Sequence, residues 1–166
     1  MRFRIEQRFS HDVDKVEAAL LDPAFLTRMA ELPKLGRPEL LGRSEDGLVV
    51  SMEVRYAFAG ELSSAVRRVV DPARLTWVEE STTDRATHRA TFRIVPDNYG
   101  GMLRCQGTFV LTPSATGSTR VAEGELRVSV PLVGGKVERA IVSGLEEHAV
   151  AEASLVDAWL APPSSP

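Results

Sequence analysis

The sequence predicts an α+β fold: a curved antiparallel sheet of about seven strands around one long C-terminal helix, with two short helices after the first strand. Three observations carry this prediction. From Arg37 to about Val130 apolar residues alternate with polar ones, and clusters of Gly, Pro, Asp and Asn break the alternation into segments. After Pro131 the period changes to 3.6 and holds as far as Trp159. No helical pattern interrupts the strands, so a strongly twisted sheet must curl, and only the terminal helix has the apolar face to fill its concave side.

The first strand places Phe3, Ile5, Gln7 and Phe9 on one side and Arg2, Arg4, Glu6 and Arg8 on the other. Ser10 is positioned to cap a helix with Val13, Val16 and Leu20 inward and with Asp12 and Asp14 near its positive end. Asp22-Pro23 closes that helix and opens a second, Pro23 to Glu31. Val50, Met52, Val54, Tyr56 and Phe58 form the longest alternating row, after a turn at Glu45-Asp46-Gly47. Further strands are predicted at Val66–Val70, Leu75–Glu79, His88–Ile94, Leu103–Leu111 and about Thr119–Val130. In the last helix Val137, Ile141, Gly144, His148, Ala151, Leu155 and Trp159 align on one narrow face about 40 Å long. Residues 1–160 are expected to form one domain and 161–166 a frayed tail.

The composition excludes several function classes. The 17 Arg and 3 Lys are interleaved with acidic residues and the net charge is -3, so no basic face for nucleic acid is expected. No apolar run approaches the roughly 18 residues of a membrane span, and Met1–Glu6 alternates charge with apolarity, so a cytoplasmic protein without stable membrane insertion is expected. His11, His88, His148 and the lone Cys105 lie far apart without CxxC or HxxxH spacing, so neither metal nor cofactor is expected. Gly134-Gly135-Lys136 is no phosphate loop, because Val130 stands where the first glycine belongs and Val137 where Ser or Thr would meet magnesium.

The order of elements resembles the helix-grip fold of the START-like, or SRPBCC, superfamily over residues 1–160. The residues that carry the resemblance are the Phe3–Ser10 strand, the Asp22-Pro23 break and Pro131-Leu132-Val133-Gly134-Gly135-Lys136-Val137-Glu138 before the last helix. Within the superfamily the chain is most similar to a largely actinobacterial group described as a domain of unknown function. The resemblance implies a cavity between sheet and terminal helix for lipids, steroids, polyketides or other apolar molecules. It supplies no catalytic motif.

The residues argue for the same hollow. Gln7, Glu79, His88, Cys105 and Gly107 occupy positions that the alternation turns inward, and Gly144, His148 and Ala151 face them from the helix, where a tightly packed core would use larger apolar groups. An empty void of about 300 Å³ would forfeit roughly 7 kcal/mol at about 24 cal/mol per Å³, close to the net stability of a whole domain, so such a space is expected to hold ligand or water. The opposing expectation is that Tyr56, Trp77, Phe92 and Phe109 reach across and fill it. Tyr56, Phe58, Trp77, Phe92, Cys105, Phe109, Ile141, Gly144 and Leu155 are expected to form the apolar wall, with Glu79, His88 and His148 as polar contacts to an apolar small molecule or lipid. No catalytic residue is assigned, since nothing places a base and an orienting acid beside Cys105. The alternatives are an enzyme resembling polyketide aromatase/cyclases, with His148, Tyr56 or Glu79 moving protons, and an interaction module with a filled core.

Overall fold

The computed structural model describes residues 1–68 and 70–162. β1 (Arg2–Phe9) leads through α1 (Val13–Leu20), α2 (Pro23–Arg28) and a 3-10 turn at Met29–Glu31 into the strand run. The strands are β2 (Glu39–Asp46), β3 (Val49–Ala57), β4 (Thr76–Asp84), β5 (Arg89–Pro96), β6 (Leu103–Ser114) and β7 (Gly117–Val128). They form one curved sheet in the order β1-β7-β6-β5-β4-β3-β2, antiparallel throughout. A short helix, α3 (Ser64–Arg67), lies between β3 and β4, and the final helix, α4 (Gly134–Leu160), crosses the concave face against β1, β7 and α1. This is the predicted helix-grip α+β architecture.

Four local expectations need correction. Asp12, not Ser10, caps α1 by accepting from the Lys15 amide; Ser10 instead gives its hydroxyl and amide to Asp157 of α4, at 2.9 and 3.0 Å. Val66–Val70 is not a strand. Ser63 caps α3, which holds Val66, and the Val70 amide reaches the Val66 carbonyl at 2.9 Å, a bond between residues four apart. The seventh strand is β2, an edge strand with little buried surface and therefore little apolar alternation to detect. His88 precedes β5 in a turn, with φ 53°. The expected tail falls, for residues 163–166, outside the described residues.

Gly107 and Gly124 face each other across β6 and β7. A Cβ on Gly124 would lie 2.6 Å from the Phe3 ring, and one on Gly107 would lie 2.2 Å from the Glu123 carbonyl oxygen and 2.9 Å from Phe92. The two bare strands thus let aromatic rings lie flat on the sheet. The space read as empty at Gly107 is occupied by Phe92.

The predicted stripe on α4 is offset from the buried one. Ile141, Gly144, His148, Ala151, Leu155 and Trp159 are all half-buried, whereas Val142, Ala149, Glu152 and Val156, one position on, are buried together with Ala153. A one-residue offset rotates the face by about 100°. Alanine and glutamate dominate the centre of that row, so its hydropathy does not mark it as the inner face.

The apolar interior is divided into two lobes. The first joins α1 and α2 to β3 and the end of α4, through Val16, Phe25, Val50, Val54, Tyr56 and Val156. The second joins β1, β5, β6 and β7 to the start of α4, through Phe3, Ile5, Phe92, Leu126 and Val142.

Candidate functional site

A polar seam marks the boundary between the lobes. On β1, Gln7 lies between Ile5 of the second lobe and Phe9 of the first; on β7, Arg120 pairs with Gln7 in the register; on α4, Glu152 lies between Ala149 and Ala153. Alternation turns all of these strand positions inward. The Gln7 Nε2 donates to the Ala149 carbonyl and to Glu152 Oε2, both at 2.8 Å, and its Oε1 accepts from Arg120 Nε at 2.6 Å. Arg120 Nη2 closes the triangle on Glu152. The guanidinium also lies 4.8 Å from the centre of the Phe109 ring, a cation-π contact. Burial pushes the Glu152 carboxyl upward, but the Arg120 charge, His148 and the Gln7 bond outweigh it and hold the group below the usual carboxylate range.

Glu79 has a different environment. It projects from β4 between Val54 of the first lobe and Ile94 beside the second, and among the described residues its carboxylate has no hydrogen-bond or ion-pair partner. Loss of water pushes it up to about 7, helped by the Glu152 charge and opposed by Arg120. Yet the residue keeps accessible surface. Glu79 is thus a desolvated carboxylate on the concave side of the sheet that keeps some accessible surface. Tyr56 and Cys105 stand within its field: burial first and the Glu79 charge second push the Tyr56 hydroxyl well above its ordinary range and the Cys105 thiol to about 11. On α4 the His148 Nδ1 is buried without a hydrogen-bond partner. The arrangement offers a set of uncommitted polar atoms between apolar walls, and a carboxyl able to gain or lose a proton near neutrality.

A family model described as "Protein of unknown function (DUF2505)" matches residues 4–160. The chain belongs to the DUF2505 family. A search of the curated proteins finds no match. Solved structures show how its fold recurs. TTHA0849 from Thermus thermophilus is 17% identical, with a TM-score of 0.69 over 97% of this chain and 100% of that one. CV1439 from Chromobacterium violaceum is 13% identical, with a TM-score of 0.59 over 97% of each chain. The di-domain ARO/CYC StfQ from the steffimycin biosynthetic pathway is 16% identical, with a TM-score of 0.55 over 92% of this chain and 44% of its own. At these identities the likeness is one of fold.

In this DUF2505 chain the alternation register turns Tyr56, Trp77, Glu79, Phe92, Cys105 and Phe109 to the concave side; on α4, Ile141 and Leu155 pack at the edges of the two lobes, while Gly144 and His148 are half-buried beside the inner row. Tyr56 stacks with Trp77 at 6.0 Å in the first lobe, and Phe92 with Phe109 at 4.6 Å in the second. Two expected residues stand apart. Phe58 lies beyond the end of β3 against Gly60 and Lys34. His88 turns its Nδ1 to the buried Glu17 of α1, at 3.2 Å, where Arg85 also approaches at 3.5 Å, so it does not converge with His148. Gln7 appears in the sequence reading only as a small or polar inward position, and Arg120 and Glu152 are missed. The available signal was an arginine in inward register with Ala122 and Leu126, and a glutamate one helical turn after His148.

Two open hollows lie away from the space between the concave sheet face and α4. One, of about 670 Å³, is on the outer face of the sheet among Glu53, Glu80, Thr91, Arg93 and Gln106; the other, of about 390 Å³, lies between α1 and β2 at Leu21, Asp22, Arg43 and Arg85. Among the described residues no helix is long and apolar enough to cross a membrane, and no cluster of three or more His, Cys, Asp or Glu could hold a metal ion.

Proposed function

We propose that the protein binds an apolar small molecule or lipid between the concave sheet face and α4, by burial without bond making. The observation that carries this reading is Glu79: a deep, unpartnered carboxylate that keeps accessible surface between two aromatic pairs. Apolar surface already desolvated on the sheet would gain roughly 25 cal/mol for each Å² of ligand surface withdrawn from water. The half-buried row Ile141, Gly144, His148 and Leu155 supplies the opposing wall, and α1 and α2 form part of the mouth. A Cβ on Gly144 would meet nothing within 4 Å, so this wall has room.

Native mass spectrometry of freshly purified protein, followed by extraction of any copurified compound, tests the reading. We expect a bound apolar species that a Gly144→Phe variant loses while its circular dichroism stays unchanged. Absence of a copurified species, together with no binding of the neutral dye Nile red, would remove the reading.

A second reading as a proton-moving enzyme is favoured by the titration of Glu79 near neutrality beside Tyr56 and the uncommitted His148 nitrogen. The ARO/CYC description of StfQ supports it by likeness of fold. It requires that Glu79→Gln retain ligand while altering the compound recovered; an identical compound from both proteins would exclude it.

A further inference from the structure

The charges of the seam restrict what the hollow can hold, and the restriction deepens the binding reading on which it rests. Arg120 is the cation of this seam, and its Nε and Nη2 are committed to Gln7 and Glu152. The side chains left without a hydrogen-bond partner are Glu79, Tyr56 and His148; Arg120 keeps Nη1 unbonded, but its charge is balanced by the ion pair with Glu152. An anionic head placed here would meet the unpaired Glu79 carboxylate, with the Arg120 charge already balanced by Glu152, in a desolvated setting where like charges repel strongly. A donor head would instead supply the hydrogen bond that Glu79 lacks.

We propose that the hollow selects an amphiphile whose polar head donates hydrogen bonds and carries no negative charge, a hydroxyl or an amine, with Glu79 accepting from it. Such selection excludes fatty-acid and phosphate heads. The aromatic pairs Tyr56–Trp77 and Phe92–Phe109 flank this head position from the two lobes and take the apolar body. The groups that set the charge of Glu79 are Glu152 and Arg120, with Tyr56 and Cys105 within its own field and His148 beside Glu152.

Calorimetric titration of the intact protein with decan-1-ol, decylamine and decanoate at pH 8 and pH 6 tests the proposal. At pH 8 we expect the alcohol or the amine to bind at least about tenfold more tightly than decanoate, and the tighter of the two names the head chemistry. The discrimination should shrink several-fold at pH 6, where Glu79 holds its proton, and vanish in Glu79→Gln. Decanoate binding as tightly as the other two at pH 8 overturns the proposal but leaves the apolar hollow standing. Failure of all three compounds to bind overturns the hollow itself. If Glu79→Gln does not fold, the comparison between pH 8 and pH 6 on the unaltered chain decides: discrimination that does not change with pH overturns the assignment to Glu79.

Discussion

Replacing Arg120 by methionine isolates the seam's central interaction. Its side chain is 13% exposed and that of Glu152 is 8% exposed, so the pair is screened little by solvent. Removing one member leaves the other as an uncompensated buried charge, a loss of about 3–5 kcal/mol. Gln7 Oε1 loses its donor in the same step. A domain with a net stability of about 5–15 kcal/mol would then be close to unfolding, and urea titration should show the midpoint falling sharply. The pH dependence should reverse as well. In the native chain Glu152 is held below its unfolded value, so the folded state binds fewer protons; its contribution is present above about pH 4.5 and is lost as pH falls through the folded pKa. Without Arg120, burial dominates and the folded pKa rises above the unfolded one, so the variant should regain stability as pH falls towards 4.5. The double variant Arg120→Met with Glu152→Met should recover most of the loss, because two apolar side chains leave no buried charge. A single variant that loses less than about 1 kcal/mol, or a double variant as unstable as the single, would refute this account of the seam.

Further expectations follow from the same geometry. Gly144→Ala meets no neighbour and improves helix propensity, so thermal unfolding should show a gain of about 1 kcal/mol. Gly124→Ala should cost about 1–3 kcal/mol in urea titration, because its Cβ would strike the Phe3 ring and the Gln106 carbonyl oxygen. Glu79 is raised to about 7 in the folded chain, so it destabilises above that pH and its penalty disappears below its unfolded value near 4.5. Allowing for the surface it keeps, Glu79→Gln should therefore exceed the native chain by about 2 kcal/mol at about pH 8 and match it at about pH 4 in urea titration. His148→Leu relieves an unpartnered buried nitrogen and should leave stability unchanged or raise it by up to about 2 kcal/mol, measured by thermal denaturation.

What the sequence reveals follows the strength of its periodicity. β1 buries Phe3, Ile5, Gln7 and Phe9 in strict alternation, and the row from Val50 to Tyr56 does the same, so half-buried strands of this kind are legible residue by residue. β2 is not, because an edge strand with few buried positions has no apolar row to display. The segment Val66–Val70 misleads because residues four apart satisfy a period of two as well as a helical turn, and the Ser63 cap decides between them. The seam was half legible. Glu79 and His148 stand out as polar residues in apolar rows, while Arg120 is obscured by the many arginines that face solvent and Glu152 by the acidic residues on either side of α4. Their pairing is a tertiary fact: it joins a strand to a helix that the chain reaches only after turning through Pro131 and Gly134.

Having two oily compartments in place of one affects how the molecule comes apart. The compartment built on α1 and α2 depends on the last turns of α4, where Val156 is wholly enclosed and Trp159 meets the edge of Phe25 at 5.8 Å. The other depends on the first half and the middle of the same rod, at Val142 and Ala149, and on β5, β6 and β7. Unwinding the carboxyl end of the rod would therefore release the small amino-terminal helices while the far compartment stayed closed, so α1 and α2 should exchange their amide protons well before β6 and β7.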